Sequence, residues 1–383
     1  MMKNFTKNNV LLLATMCLVM FYAGSFVYAQ KVIEPGLGTI NETIMGDTLS
    51  DGSRAETHYI LKQDGWYIYT ETMHIDFSLT LEAEAGDGAR PVIKPVAMEG
   101  GATRPFEIRN SGVTVTFRGC HVDGHDNSLP APGLRSDEYA LRVYADDVRI
   151  VIDDCRWDRV PKYIFRTDNP GTDFILTNST FGNFYKDGWP LSSGFIRNKS
   201  EGDTLVVSNS TIYNGGVFCR SDNTMWNYTK IEHCTFVNLM GCGDWDRNKT
   251  DSLRAEISQT WAVVNTHESK MVVFRNNLLV NTGILGRHTE EALVPQYVVG
   301  TEMIPVDTLG NYSLPDGVDI RNNNIWFDSA LEGAYGDSVE LYTQDRFYDP
   351  TMQTFIDSLD RAWFFDEYRS YLRGRPQNPG RMG

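Results

Sequence analysis

The sequence predicts an all-β chain wound into a parallel β-helix, and three observations predict it. First, seven segments share one pattern: VTVTFRGCHVDG, VRIVIDDCRWDR, DFILTNSTFGNF, TLVVSNSTIYNG, YTKIEHCTFVNL, MVVFRNNLLVNT and GVDIRNNNIWFD. In each, a short strand meets a small or polar pair, then one variable residue, then a large apolar one. The pair opens at Gly119, Asp154, Asn178, Asn209, His233, Asn276 or Asn322, and the apolar residue follows at Val122, Trp157, Phe181, Ile212, Phe236, Leu279 or Ile325. Two places further on, asparagine recurs at Asn183, Asn214, Asn238 and Asn281. Second, the two shortest steps between pair positions, Asp154 to Asn178 and Asn209 to His233, are equal, as expected of a unit of three short strands that elsewhere carries loop insertions. Third, FEIRN, YALRV, YIFRT, GFIRN and VFCRS place Arg109, Arg142, Arg166, Arg197 and Arg220 at nearly constant spacing ahead of the next pair. Strands with one or two inward residues cannot form a core alone, but stacked on copies of themselves they can.

Taken from the start, residues 1–29 read as a signal peptide: Lys3 and Lys7 precede an apolar run that ends in Val27, Tyr28 and Ala29, with cleavage expected before Gln30. The chain is therefore expected to be exported, periplasmic or extracellular, with no membrane span after the leader. Residues 30–56 are assigned to an N-terminal cap, because an open coil exposes strand edges that must be covered. The β-helix proper is placed at 57–345, with insertions at 124–138, 241–259 and 284–316. Loops of this size on a repeat scaffold usually project from one side and line a binding groove. The remainder, 346–383, is read as a C-terminal cap and tail. Phe355, Leu359 and Trp363 fall at helical spacing there, and RGRPQNPGRMG follows as a disordered end.

Asn209, Ser210 and Thr211 spell an N-glycosylation acceptor, as do Asn178, Ser179 and Thr180. In phase with the other segments they are instead strand-to-turn corners, with the asparagine expected to bond its stacked neighbours. The second pair position takes Cys120, Cys155, Ser179, Ser210, Cys234, Asn277 or Asn323, so these cysteines read as small buried ladder residues. Beyond the leader the chain has five cysteines, adding Cys219 and Cys242, an odd number that argues against a dense disulfide framework. Bridges between Cys120 and Cys155, or between Cys219 and Cys242, remain sterically open.

On these rungs and on the opening stretch ETHYILKQDGWYIYTETMHIDFSLTLEAEAGDGARPVIKP, the chain resembles right-handed parallel β-helix proteins of the pectate-lyase-like and chondroitinase-B-like kind. It is similar in particular to exported β-helix proteins of Gram-negative bacteria that degrade polysaccharides. The resemblance implies a right-handed coil and a polysaccharide partner, and it specifies architecture more than activity.

The formal net charge of −15 grows more negative once Lys3 and Lys7 leave with the leader, which excludes nucleic acid as a natural partner and means that a polyanion needs a local basic patch. The arginine column supplies one. Equivalent positions on successive coils lie about 4.8 Å apart, so like charges there call for intervening anions. Those anions are either carboxylates of the chain, Asp168, Asp222 and Asp146 or Asp147, or the acid groups of a glycan gripped bidentately by Arg142, Arg166, Arg197 and Arg220. Among tryptophans, Trp245, flanked by Asp244 and Asp246, is expected to be exposed and to stack on sugar rings. The expected function is binding of an acidic polysaccharide by a monomer with no resident cofactor or metal.

The alternative is a polysaccharide lyase. Arg166, Arg197 and Arg220, or a Ca²⁺ ion, would neutralise a uronate, and Lys162, Tyr163, His233 or His267 would serve as base. Chondroitinase-B-like lyases carry an Asn-Glu-Glu calcium set and a strand-terminal Arg-His pair. Arg287-His288 resembles the pair, but no calcium set precedes it. A hydrolase would need two spaced carboxylates, such as Asp123 with Asp126, Asp153 with Asp154, or Asp244 with Asp246. His121, Asp123, His125 and Asp126 resemble a metal set, but their spacing is imperfect and their context turn-rich. A structural or adhesive surface protein is the third alternative.

Overall fold

The computed structural model describes residues 30–95, 105–124, 139–160, 163–184, 194–215, 217–221, 226–239, 264–265, 269–280, 287–288, 293–294, 299–300 and 318–326. They form an all-β parallel β-helix. Two sheets of ten strands and one of six run along the coil, each linking every strand to its counterpart one turn away. One turn reads Arg149–Asp153 on the first face, Arg156–Asp158 on the second and Tyr163–Thr167 on the third, and the next turn repeats it with Thr172–Thr177, Thr180–Phe184 and Gly194–Asn198.

Register is continuous through the repeat. Val122, Trp157, Phe181, Ile212, Phe236, Leu279 and Ile325 stand directly over one another on the second face. Those with described side chains are buried, and with their first- and third-face counterparts they fill the interior. Rings from all three faces meet on the axis. Trp157 lies 5.2 Å from both Phe117 and Phe165 between ring centroids, and Phe195 lies 4.8 Å from Phe181 and 5.1 Å from Phe218. Trp157 and Trp226 are wholly interior.

The first pair position owes its residue types to the backbone. Gly119, Asp154, Asn178, Asn209, His233, Asn276 and Asn322 all have φ between 49° and 65°, the left-handed region. Glycine enters it freely, and Asn, Asp and His enter more readily than other side chains. Each therefore turns the chain sharply from the first face to the second. The asparagine-to-asparagine bond expected here exists between Asn209 Nδ2 and Asn178 Oδ1 at 3.4 Å, but conformation is the stronger cause.

The second pair position is the internal ladder. Cys120, Cys155, Ser179, Ser210, Cys234, Asn277 and Asn323 are all buried. Cys155 N donates to Ser179 Oγ at 3.0 Å and Ser179 N to Ser210 Oγ at 3.1 Å. Cys234 N donates to Asn277 Oδ1 at 2.9 Å and Asn277 N to Asn323 Oδ1 at 3.0 Å. These side chains satisfy corner amides that the sheets leave open. The described cysteines, Cys120, Cys155, Cys219 and Cys234, are buried, and Cys120 and Cys155 are not bridged to each other. Burial pushes the Cys234 thiol up to about 12, so it stays protonated and inert. Cys242 lies outside the described residues.

At the N-terminal end, Lys31–Ile33 and Gly36–Leu37 already pair in parallel with the next strands of the first and second faces. The segment 30–56 thus supplies the first coil. Helix α1, Thr39–Gly46, follows where a third strand would stand, with Ile40 and Ile44 in the core. Asn41 pins it: its Nδ2 donates to Glu71 O at 2.9 Å, and its Oδ1 accepts from Thr70 N at 3.0 Å. The expected leader, the expected C-terminal helix and tail, and nearly all of the three expected insertions lie outside the described residues. No helix among the described residues is long and apolar enough to cross a membrane.

Candidate functional site

The arginine column lies on the third face. Tyr139–Val143, Tyr163–Thr167, Gly194–Asn198 and Val217–Ser221 pair so that Arg142, Arg166, Arg197 and Arg220 occupy one register position on four consecutive coils. Arg109 does not belong to it. The strand that ends just before Arg109, Phe106–Ile108, aligns Glu107 with Arg142, and on the coil before that His74 aligns with Glu107. The column therefore runs His74, Glu107, Arg142, Arg166, Arg197, Arg220. Glu107 is buried, and its Oε2 accepts from Arg109 Nη2 at 2.7 Å and lies 3.2 Å from His74 Nδ1.

Asp168 is the carboxylate that the first two arginines share. Arg142 Nε donates to its Oδ2 at 2.5 Å, and Arg166 Nε donates to its Oδ1 at 2.8 Å. Both arginine side chains are largely covered, 15% and 12% exposed, so this half of the column is an ion-paired ladder. Asp146 is engaged elsewhere, with Asn169 Nδ2 at 2.9 Å, and Asp147 turns the backbone at φ 55°. Asp222 lies outside the described residues, and Arg220 is placed by strand register alone.

Two tyrosines absent from the expected binding set hold the column. Tyr139 and Tyr163 are buried and stacked, 5.9 Å between centroids with planes 19° apart. The Tyr139 hydroxyl accepts from Arg166 Nη1 at 2.6 Å and from Arg197 Nη1 at 3.4 Å. The Arg142 guanidinium sits 4.1 Å from the Tyr144 ring centroid, and that of Arg166 sits 4.7 Å from the Tyr139 centroid. Flat guanidinium groups stacked on rings and tied at their edges are fixed in orientation. Spacing in sequence could have found Tyr139 and Tyr163, since each lies three residues before its arginine.

Of the proposed bases, Tyr163 stands in the stack beside the column. His233 turns the corner between the first and second faces, Tyr163 is wholly buried, and Lys162 and His267 are outside the described residues. Arg287–His288 pairs antiparallel with Leu293–Val294, apart from the three parallel sheets. Trp245 also lies outside the described residues, as do His125, Asp126, Asp244 and Asp246. Asp153 is spent on the corner, its Oδ1 accepting from Thr177 Oγ1 and Asn178 Nδ2, both at 2.7 Å. Asp154 pairs with Arg90. Among the described residues no three His, Cys, Asp or Glu side chains converge to hold a metal.

The structure of a PL6 family alginate lyase, AlyGC, overlaps this chain with a TM-score of 0.43 at 16% identity, across 77% of this chain and 39% of that one. A mutant of the same enzyme overlaps with a TM-score of 0.37 at 16% identity over the same shares. The chain thus spans about two fifths of the length of the alginate lyase it matches. No family model matches the chain, and no curated protein does.

Proposed function

We propose that this chain is an exported polysaccharide-binding β-helix protein that engages an acidic glycan along the third face. The observation that carries the reading is the single register shared by Arg142, Arg166, Arg197 and Arg220. Four arginines share a backbone register that repeats at the spacing of the coil, about 4.8 Å, on a chain whose net charge otherwise repels polyanions. Asp168 and the Tyr139–Tyr163 stack hold the first of them rigid, which lowers the ordering cost of binding. Carboxylates spaced along an extended polymer complement such a strip.

Binding is favoured over elimination because, of the expected bases, Tyr163 is wholly buried and His233 is spent on a corner, while Lys162 and His267 lie outside the described residues. Tyr139, whose hydroxyl accepts from Arg166 and Arg197, is itself buried. The test is affinity electrophoresis of the mature protein through gels containing polygalacturonate, alongside the ultraviolet absorbance of unsaturated uronate products. Retardation without new absorbance is expected, and Arg166→Ala with Arg197→Ala should abolish it. Rising absorbance would make the protein a lyase. Unchanged retardation in the double variant would move the glycan off the third face.

A further inference from the structure

A second charged cluster sits on the outer side of the second face, where register brings two coils together. His121 pairs with Arg156 and Asp123 with Asp158, while Arg159 follows at the corner. Asp123 and Asp158 are 1% and 3% exposed, deeply covered for carboxylates outside the core. Each anchors a guanidinium that still reaches solvent. Asp158 Oδ2 accepts from Arg156 Nε at 3.1 Å and Nη2 at 2.5 Å, and Asp123 Oδ2 accepts from Arg159 Nη2. The two arginine side chains remain 46% and 40% exposed.

Three further observations distinguish this cluster from a plain ion-pair ladder. Arg159 has φ 58° at a corner where the next coil has Asn183, at φ 53°. A long side chain in the left-handed region is uncommon and clusters at functional positions. Arg159 Nε and His121 Nε2 are buried and have no hydrogen-bond partner among the described residues. His121, in register with Arg156, interacts electrostatically with Asp123, Arg156, Asp158 and Arg159 together. Polar atoms left unbonded at such a junction are costly unless a ligand satisfies them.

We infer that His121, Arg156 and Arg159 form an oxyanion-binding site on the second face, accepting a single carboxylate or sulfate group. Two arginines and two aspartates cancel, so the site gains net positive charge only when His121 is protonated. Anion binding and proton uptake at His121 therefore favour each other equally, as linkage requires. Burial holds the imidazole below its ordinary value in the free protein, so the coupling works on the acid side of neutrality.

The test follows histidine ring protons of the mature protein by NMR across about pH 5 to 8, in chloride, in sodium sulfate and in sodium galacturonate. One midpoint, identified by its loss in His121→Gln, should rise with the added anion. The rise should disappear in Arg156→Gln and shrink in Arg156→Lys, which keeps the charge but not the fork. A rise with both anions assigns a general oxyanion site, with galacturonate alone a uronate carboxylate, and with sulfate alone a sulfate ester. No rise with either, or a rise that survives Arg156→Gln in a folded variant, overturns the inference. So does a rise lost in Arg166→Ala, which would put the anion on the third face. Arg166→Ala that ends gel retardation but leaves the rise intact separates this site from the proposed glycan strip.

Discussion

Asp168 stands between Arg142 and Arg166, and its removal has opposite effects on stability and on anion capture. In Asp168→Asn two mostly covered guanidinium groups lose their shared carboxylate and one of its two accepting oxygens, so stability should fall by about 1–3 kcal/mol, read by denaturant unfolding. The strip gains a unit of positive charge, so polygalacturonate retardation should increase. A purely structural ladder would lose stability and gain no retardation. His121 carries a second prediction at this scale. Its folded value lies below the unfolded one, so above about pH 6.5 both states are neutral and it contributes nothing to the pH dependence. As pH falls below that, the unfolded chain takes up a proton that the folded chain resists, and stability is lost. His121→Gln should therefore lose less stability than the parent between about pH 7 and pH 5 in parallel melts.

The corner and the ladder behind it are the elements on which each turn depends. Asn209→Ala keeps an L side chain in the left-handed region without the polar group that tolerates it, and should cost about 1 kcal/mol. Asn209→Gly should cost less. Ser210→Ala removes the acceptor of the Ser179 amide and should cost about 1–3 kcal/mol, with Ser210→Cys milder because thiols already fill this position in three other rungs. Gly182 faces a different constraint. A Cβ there would come within 2.2 Å of Tyr213 Cζ, so Gly182→Ala must displace the ring and its contact with Arg156. These elements were legible because a left-handed corner admits few residue types and returns once per turn. Arg109 shows the limit of that legibility. A slip of two residues keeps every side chain on its own side of a strand, so alternation could not reveal that Glu107, not Arg109, aligns with Arg142. The pairing of His121 with Arg156 was legible, since both fill the variable place of consecutive segments, but the burial of Asp123 and Asp158 beside it carries no mark in sequence.

For the whole molecule, net charge and local strip act against each other. A chain of formal charge −15 repels a polyuronate at long range, and only groups within a screening length of the arginines attract it. Added salt shortens that length from about 8 Å at 0.15 M to about 3 Å at 1 M. Retardation by polygalacturonate should consequently vanish near 1 M sodium chloride, while any retention by a neutral glucan gel should be unmoved. Salt-independent retention of the acidic glycan would show that guanidinium–carboxylate attraction is not its source.

The ladder of Cys155, Ser179 and Ser210 also gives the molecule a mechanical direction. Its bonds, like those of the three sheets, join one turn to the next along the axis. Tension applied at the two ends of the coil meets them one turn at a time and peels the protein open at low force. Tension applied across a face loads many of them at once in shear. A coil held at one end and pulled through a bound polymer would thus resist best when the polymer tugs sideways, against the flanks of the coil.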